Sequence, residues 1–370
     1  GSTASKSVTY TVFNVSNGEQ LRYVLTTYAA STANIKVNLT NDIDLNGNNY
    51  VWNYIDLTGV TPWIYIEGNG HTIYNLNSDS GLFSNADKYF VVKNLNFVSA
   101  KLVGNKTSVG VLGYKGSGNM YVDNVHVKGA FVQNTSGLTS ALFGTVNANN
   151  NFVRNSSTEN CYIYSAGQHT GGFATIFDSN YAAGTSYDVA FPTTPEATFG
   201  FTNANLNQND SAYPGMVDNC YSIDSEIFST AGHSGGFISC SDGGIIVRNC
   251  FTNNTIYGND CVGDFIGMFS GGTYGMKMYD DAGQRTVTGY MENCYASGIV
   301  EGQTAIGGFI GSAVDLVFKN CYSTAAVGMD YTGQNVGGFA GVQNVYVTPI
   351  YINDMGVNKN GAIYLNCYSA

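Results

Sequence analysis

Charged residues are scarce in this sequence. Lys and Arg number 15 and Asp and Glu number 26, together 11% of the 370 residues, whereas ordinary globular domains carry about 25%. With a net charge of −11 and so few bases, the chain lacks the basic surface that neutralises phosphate groups, so nucleic acid is not an expected partner. It also lacks any apolar run near the roughly 18 residues that span a bilayer, so membrane insertion is not expected.

Glycine and aromatic residues are plentiful instead. There are 46 Gly, 20 Phe and 27 Tyr, and hydrophobic residues make up 44% of the chain. This content is enough to build a large core, which excludes a disordered chain.

Six of the eight cysteines occur in one repeated context, an Asn-Cys-aromatic tripeptide. The six copies are Asn160-Cys161-Tyr162, Asn219-Cys220-Tyr221, Asn249-Cys250-Phe251, Asn293-Cys294-Tyr295, Asn320-Cys321-Tyr322 and Asn366-Cys367-Tyr368. A second signature, Gly-Gly-Phe or a near form, follows the first five copies and ends at Phe173, Phe237, Phe265, Phe309 and Phe339. The spacing from Cys to Phe is 12 to 18 residues, whereas the spacing from Phe to the next Cys ranges from 12 to 47. The near-constant half is one structural unit, and the variable half holds insertions in alternate repeats at one register.

Apolar and polar residues alternate within each repeat, which predicts strands. The short repeats, 30 residues from Cys220 to Cys250 and 27 from Cys294 to Cys321, are expected to stack as coils about 4.8 Å apart. We therefore predict an all-β fold, a parallel β-helix (β-solenoid). In it, Cys and Phe form interior ladders, and the Asn before each Cys occupies a left-handed bend at a corner.

The N-terminal third follows the same plan with weaker repeats. Leu95 follows Asn94 and Val125 follows Asn124, in the place of Cys. A position that accepts Leu, Val or Cys is a small apolar core site, so we expect the repeat cysteines to be free and buried. Cys240 and Cys261 fall outside this register, and a disulfide between these two remains open.

One helix is expected near the N-terminus. Ser16-Asn17-Gly18-Glu19 is typical of a capping box, and apolar residues follow at helical spacing. The pattern predicts a helix over residues 16–30. Because the end of a solenoid exposes unpaired strands, we expect this helix to cap the N-terminal coil.

The organisation of the chain follows from these elements. We expect residues 1–11 to be a tag remnant and leader, and residues 12–370 to be a single β-helix domain. The sequence stops within a repeat, at Ala370. We therefore expect this chain to be part of a longer protein with further domains.

Several segments carry a family resemblance: residues 39–45 (LTNDIDL), 67–76 (EGNGHTIYNL), 81–83 (GLF) and 307–311 (GGFIG). With them the chain resembles, over about residues 12–369, bacterial cell-surface proteins with GLUG-type repeats, a family of candidate adhesins. The resemblance implies a single-stranded, right-handed parallel β-helix. It also implies an extracellular bacterial protein, either secreted or attached to the cell wall. A fold shared by many functions does not by itself settle the activity.

Residues 232–236 (GHSGG) match the G-x-S-x-G pattern of hydrolase nucleophiles. That serine needs a strand-to-helix turn, whereas Ser234 lies on the approach to a repeat Phe. The segment aligns with residues 168–172, so His169 and His233 are predicted to be two rungs of a ladder. A metal held by these two is conceivable but has no third ligand visible in the sequence, and we favour their interpretation as surface or corner residues.

Asp280, Asp281 and Arg285 form the one compact acidic and basic set of the kind that a carbohydrate-active enzyme on this fold requires. Residues 277–285 also have good turn chemistry, and we interpret them as a polar hairpin tip. Calcium held by Asp280, Asp281 or Asp242 is the one cofactor left open.

The insertions, residues 177–216, 271–289 and 343–361, are the main candidates for function, because loops on a rigid scaffold usually carry it. They are rich in aromatic rings flanked by polar residues, which suit recognition of glycan or protein. The candidate ligand-binding residues are Tyr187, Phe191, Tyr213, Tyr274, Tyr279, Asp280, Asp281, Tyr346, Tyr351 and Asp354. We therefore expect the insertions to form a flank that binds a glycan or a host or cell-surface protein without catalysis. A polysaccharide lyase or hydrolase and a passive stalk are the alternatives.

Overall fold

The computed structural model describes residues 10–28, 34–46, 51–52, 55–57, 64–85, 90–115, 120–148, 151–179, 215–274, 276–280, 283–287, 289–314, 316–328, 334–343 and 362–370. Within these residues the chain forms three parallel sheets, one antiparallel hairpin and one α-helix. None of the described helical residues forms a segment long and apolar enough to cross a membrane.

Sheet 1 contains 25 of the described strands, and it includes the strands on both sides of the corner asparagines that precede the repeat cysteines. Its strands are Thr11–Val15, Ile35–Leu39, Ile43–Asp44, Ile64–Glu67, Thr72–Tyr74, Asn77–Ser78, Phe90–Val98, Lys101–Gly104, Met120–Lys128, Phe131–Asn134, Asn151–Arg154, Ser157–Glu159, Tyr162–Ser165, Gly215–Asp218, Tyr221–Ser229, Ile245–Arg248, Phe251–Tyr257, Gly289–Glu292, Tyr295–Ala296, Ile299–Glu301, Leu316–Lys319, Tyr322–Ser323, Ala326–Val327, Ile363–Leu365 and Tyr368–Ser369.

Sheets 2 and 3 contain seven described strands each. The strands of sheet 2 are Ser108–Val109, Leu138–Ser140, His169–Gly171, His233–Gly235, Asp260–Gly263, Thr304–Gly307 and Gln334–Gly337. Those of sheet 3 are Gly113–Lys115, Phe143–Ala148, Ala174–Ser179, Ile238–Gly243, Ile266–Tyr274, Ile310–Ala313 and Ala340–Gln343. The hairpin pairs Met276–Asp280 with Gly283–Val287.

From Phe90 to Gln343, each described coil visits sheet 1, then sheet 2, then sheet 3, and its strands in these sheets pair in parallel with those of the neighbouring coils. Gly215–Asp218, for example, pairs with Ile245–Arg248, and that strand pairs with Gly289–Glu292. The predicted all-β fold with stacked parallel coils is confirmed. A continuous hydrophobic core runs through the described coils, from Val15 to Ala325.

The corner asparagines adopt the left-handed conformation that the sequence predicts. Their φ angles are 53° to 57° at Asn94, Asn124, Asn219, Asn249, Asn293, Asn320 and Asn366, and 52° at Asn155. Asn is one of the few residues other than Gly that accepts this conformation readily. The side chains also form a ladder, because Asn293 Nδ2 donates to Asn249 Oδ1 at 3.1 Å and Asn320 Nδ2 donates to Asn293 Oδ1 at 3.1 Å.

The cysteines do more than fill the core. The thiol of Cys220 donates to the carbonyl oxygen of Asp218 at 3.3 Å, and that of Cys294 donates to Glu292 at 3.3 Å. Each of these carbonyl oxygens also accepts from the amide of the corner asparagine one coil earlier, Asn155 or Asn249, so the thiol adds a second hydrogen bond on the far side of its own corner asparagine. All eight cysteines are free thiols, as expected for the repeat positions, and the open pairing of Cys240 with Cys261 is not formed.

The alignment of the first tripeptide, Asn160-Cys161-Tyr162, with the later ones is wrong. Asn151–Arg154 pairs with Gly215–Asp218, which places Ser156 opposite Cys220. Ser156 Oγ donates to the carbonyl of Arg154 at 2.8 Å, as the thiols do in later coils. Asn160 instead occupies a second left-handed corner, at the level of Asp224. The same local chemistry builds both corners, so the tripeptide alone did not distinguish them.

The phenylalanines of the second signature form the predicted interior ladder. Phe173, Phe237, Phe265, Phe309 and Phe339 stack with ring centroids 4.6 to 5.1 Å apart. All but Phe339 are fully buried. Such a stack combines apolar burial with favourable ring contacts.

Asp264 replaces the second glycine of this signature and is completely buried. Its carboxylate accepts from Thr252 Oγ1 at 3.1 Å, from the amide of Ser297 at 3.0 Å and from the amide of Gly298 at 2.7 Å. Burial raises the pKa of this carboxyl to about 7 although these donors lower it. Asp264 therefore ties neighbouring coils together from inside.

Charges on the outer face of sheet 1 alternate from coil to coil. The rungs run Glu67, Lys93, Asp123, Arg154, Asp218, Arg248, Glu292 and Lys319. The closest contacts are 2.8 Å from Arg154 to Asp123 and 3.0 Å from Lys319 to Glu292. We call these eight residues the charge ladder. Eight of the chain's 15 basic and 26 acidic residues are thus used to match one coil to the next.

The N-terminal helix is shorter than predicted, Gly18–Thr27 instead of 16–30. Its N-cap is Asn17, which accepts from the Gln20 amide at 3.0 Å, while Gln20 Oε1 accepts from the Ser16 amide at 2.8 Å. The capping box is therefore displaced by one residue from the expected pairing of Ser16 with Glu19. Leu21, Val24 and Leu25 are buried in the core.

Candidate functional site

The structure does not describe the side-chain surroundings of the predicted ligand-binding residues. Tyr187, Phe191, Tyr213, Asp281, Tyr346, Tyr351 and Asp354 lie outside the described residues, and Tyr274, Tyr279 and Asp280 belong to strands whose backbone alone is described there. The backbone of residues 276–280 and 283–287 does form the hairpin that the turn chemistry indicates, with Asp280 opposite Gly283.

The insertions share one position in the coil. Each leaves the end of a sheet 3 strand, at Ser179, Tyr274 or Gln343, and returns at the start of a sheet 1 strand. Parallel strands end at the same edge of a sheet, so these departure points lie along one edge. The described side chains near this edge are therefore candidates for a functional site.

His169 and His233 face outward on sheet 2, as adjacent rungs. Their neighbours Thr170 and Ser234 are fully buried, so the alternation of a strand places the imidazoles on the other side. The two rings stack with centroids 4.9 Å apart. The prediction that they form a ladder is confirmed. The buried Ser234 lies on a strand, where a nucleophile elbow does not form.

Asp260 and Cys261 join His233 on the next coil. Their ligand atoms and an imidazole nitrogen of His233 all lie within 4.8 Å of one another. Sequence reasoning found the two histidines but missed these two residues, because a register shift between His233 and Ser234 brings both opposite one histidine. We call His233, Asp260 and Cys261 the three-residue cluster.

Burial shifts the pKa values of the two histidines and of Cys261. It lowers the pKa of His233, against the opposing charge of Asp260, and lowers the pKa of His169 to about 4. Both imidazoles are therefore neutral at pH 7, with a lone pair available. Burial raises the pKa of the Cys261 thiol to about 12, so this cysteine is not an activated nucleophile.

Two acidic residues, Asp178 and Asp242, are neighbours on adjacent coils at the end of sheet 3. Asp178 is buried and accepts a hydrogen bond from the amide of Asp242 at 2.6 Å, whereas the Asp242 side chain is exposed. Burial raises the pKa of Asp178 to about 7, and the charge of Asp242 adds to the rise. A protonated acid beside an exposed carboxylate is an arrangement suited to acid–base chemistry.

Two aromatic ladders occupy the outer face of sheet 1. The tyrosine ladder stacks with centroids 4.9 to 5.2 Å apart and consists of Tyr221, Phe251, Tyr295, Tyr322 and Tyr368. The mixed ladder stacks at 4.9 to 5.5 Å and consists of Phe131, Tyr162, Phe228 and Tyr257. Exposure of Phe131, Tyr162 and Tyr257 is 37% to 38%. The faces of inner rings are covered by their neighbours, so these ladders present ring edges and hydroxyl groups to solvent.

Sequence reasoning identified the aromatic residue after each repeat cysteine but not its role as a surface rung. The signal was present, since in a strand the residue after an interior cysteine faces outward. In the mixed ladder only Tyr162 follows a repeat cysteine. Phe131, Phe228 and Tyr257 have no such signature, because their alignment depends on how the second corners stack.

Comparison with models of protein families gives no match, and comparison with curated proteins gives none. Among solved structures, the chain is similar to a candidate immunoglobulin A1 protease from Bacteroides ovatus, with 18% sequence identity and a TM-score of 0.45. The likeness covers 96% of this chain and 74% of that one. At this level it carries no inference about function.

Proposed function

We propose that this chain is a ligand-binding region of an extracellular bacterial protein, of the GLUG-repeat adhesin type, and that it acts without catalysis. The rigid coils support a recognition surface made by the exposed aromatic ladders and by the insertions. In this proposal the β-helix is right-handed and the helix Gly18–Thr27 caps its N-terminal end. The buried helix residues Leu21, Val24 and Leu25 support the capping role.

The observation that carries the proposal is the exposure of the mixed ladder. A row of half-exposed rings about one strand spacing apart offers apolar edges and hydroxyl groups in a regular line. An extended glycan, whose sugar units repeat on the scale of the roughly 4.8 Å between strands, suits such a line. The net charge of −11 favours a neutral or cationic ligand.

The test is binding of the intact chain to an array of neutral and charged glycans, with and without calcium. The informative variant is Tyr162→Ser with Tyr257→Ser, and its matched control is Val103→Ser, an exposed apolar residue on the same sheet. We expect the ladder variant to lose about tenfold or more in affinity while the control keeps it.

A second variant, in which a short linker replaces residues 180–214, locates the site. Loss of binding with the insertion alone places recognition on the insertions, and loss with the ladder variant alone places it on sheet 1. If no glycan binds and a panel of host surface proteins also fails, the proposal is wrong, and a passive stalk and a carbohydrate-active enzyme are the alternatives that remain.

The Asp178 and Asp242 pair favours one second candidate, a carbohydrate-active enzyme on the same fold. The raised pKa of Asp178 would make this residue the general acid, and the exposed Asp242 would be the base or nucleophile. Turnover of a polysaccharide that disappears in Asp178→Asn and in Asp242→Asn would establish this activity. Turnover that persists in both variants, or none on any polysaccharide, rules this pair out.

A further inference from the structure

The three-residue cluster has the donor set of a transition-metal site. An imidazole, a carboxylate and a thiol converge within 4.8 Å, and His233 Nδ1 lies 4.0 Å from Asp260 Oδ2. Tetrahedral zinc holds its ligand atoms about 3.5 Å apart, so small side-chain rotations would close the triangle around one ion. The thiol argues against calcium, which takes oxygen ligands.

An unsatisfied atom points to the same place. Nδ1 of His233 is buried and has no hydrogen-bond partner. A buried polar atom left without a partner costs about 1 to 3 kcal/mol, and native structures rarely leave one unexplained. A bound cation would satisfy this nitrogen, and the stacked ring of His169 holds the imidazole in place.

The backbone explains how the ligands come together. The sheet 2 strand Asp260–Gly263 carries one extra residue relative to His233–Gly235 on the coil before it, so Asp260 and Cys261 both lie opposite His233. Cys261 takes the left-handed conformation, with φ 46°, to accommodate the bulge. Later coils repeat the bulge at Ala305 and Asn335, where neither side chain is a thiol. The cluster thus forms where a coil without the bulge meets the first coil that has it.

The other cysteines are engaged differently. Cys250, Cys294 and Cys321 donate their thiols to backbone carbonyls inside the core. Cys240 is buried on sheet 3 and does not belong to the cluster. Cys261 alone among the described cysteines shares a coordination-sized space with a histidine and a carboxylate.

We propose that His233, Asp260 and Cys261 bind one zinc ion, with a fourth position open to water or to a ligand. This site is independent of glycan recognition, so the failure of one proposal leaves the other standing. The neutral imidazole of His233, the carboxylate of Asp260 and the thiol of Cys261, which loses its proton on binding, would hold the ion. With the fourth position they would form a tetrahedral complex.

The test uses the full chain, stripped with a chelator and titrated with zinc by calorimetry, with metal content measured afterwards. We expect one zinc per chain, and with cobalt in its place a thiolate-to-metal charge-transfer band in the near ultraviolet. Cys261→Ser should abolish that band, and both His233→Ala and Asp260→Asn should weaken zinc binding by about 100-fold or more. Cys240→Ser is the matched control, a nearby buried thiol whose loss should leave binding intact.

Circular dichroism of each variant checks that the coils are still folded. Absence of stoichiometric zinc in the folded wild-type chain would overturn the proposal, as would a charge-transfer band that survives in Cys261→Ser. If the band disappears in Cys240→Ser but not in Cys261→Ser, the assignment of the thiol ligand is wrong.

Discussion

The thiol of Cys250 donates a hydrogen bond to the carbonyl oxygen of Arg248 at 3.0 Å, across Asn249, whose φ is 54°. The asparagine turns the chain, and the thiol adds a second hydrogen bond to a carbonyl oxygen that also accepts from the amide of Asn219 on the preceding coil at 3.0 Å. The same device recurs with Ser156 and Arg154, where a hydroxyl replaces the thiol. The tripeptide is therefore a corner-forming unit, which explains its repetition in a chain without disulfides.

The corner predicts opposite responses to alanine and glycine at neighbouring asparagines. At Asn249, Asn→Ala should destabilise the protein by about 1 kcal/mol more than Asn→Gly, because glycine accepts a positive φ without strain. At the exposed Asn253, which has no positive φ, the order should reverse. Urea denaturation of the four variants measures the difference. An equal loss for both substitutions at Asn249 would show that the side-chain ladder, and not the backbone, dominates.

The buried Asp264 predicts a pH-dependent stability. Burial raises its pKa from 3.8 to about 7 in the folded state. Folding therefore favours the protonated form of Asp264. The contribution of this proton to the free energy of unfolding is complete below about pH 4 and is lost as the pH rises through about 7. The shift corresponds to at most about 4 kcal/mol.

Denaturation of the wild type and of Asp264→Asn between pH 4.5 and 8 tests this dependence. The variant should be less stable at every pH, because its amide group would face the donors that the carboxylate accepts from. It should also have a flatter pH profile. Asp224→Asn, at the exposed second corner, is the control and should keep the wild-type profile. Parallel profiles for all three proteins would show that Asp264 does not titrate in this range.

Close backbone approach predicts a strong effect of Gly308→Ala. A Cβ at this position would lie 2.2 Å from the carbonyl oxygen of Gly338 on the next coil, so the two coils would have to separate. Gly129 has a positive φ but open space around it, and Gly129→Ala should cost only about 1 kcal/mol. We expect the melting temperature to fall several times further for Gly308→Ala. Similar losses for the two variants would mean that the coils tolerate local separation.

The charge ladder predicts a salt-sensitive penalty for reversal at Asp218. In Asp218→Lys the new cation would lie between Arg154 and Arg248 on the adjacent rungs. We expect a loss of about 1 to 2 kcal/mol, and a smaller one for the neutral Asp218→Asn. Raising the salt concentration from 0.05 to 1 M should reduce the gap between the two variants, because screening weakens repulsion. A gap that does not change with salt would assign the penalty to packing.

The sequence by itself determined the architecture of this protein. Asn249 and its equivalents specify left-handed corners, the following Cys and the later Phe specify interior positions, and repetition of these units at similar spacing specifies stacked parallel coils. Local conformational preference and the alternation of a strand are encoded within a few residues, so they can be read without knowing the neighbours. The displaced capping box at Asn17 shows the usual limit of that reading, one residue at an element boundary.

Only the tertiary structure decided which side chains meet across coils. Asp260 and Cys261 lie 27 and 28 residues beyond His233, and one extra residue in their strand brings both opposite it. The alternation of Asp218 with Arg154 and Arg248 depends in the same way on the register of stacked strands. A shift of one residue changes every such contact while leaving the local pattern intact, so the register, and with it the candidate metal site, emerges only when the coils are stacked.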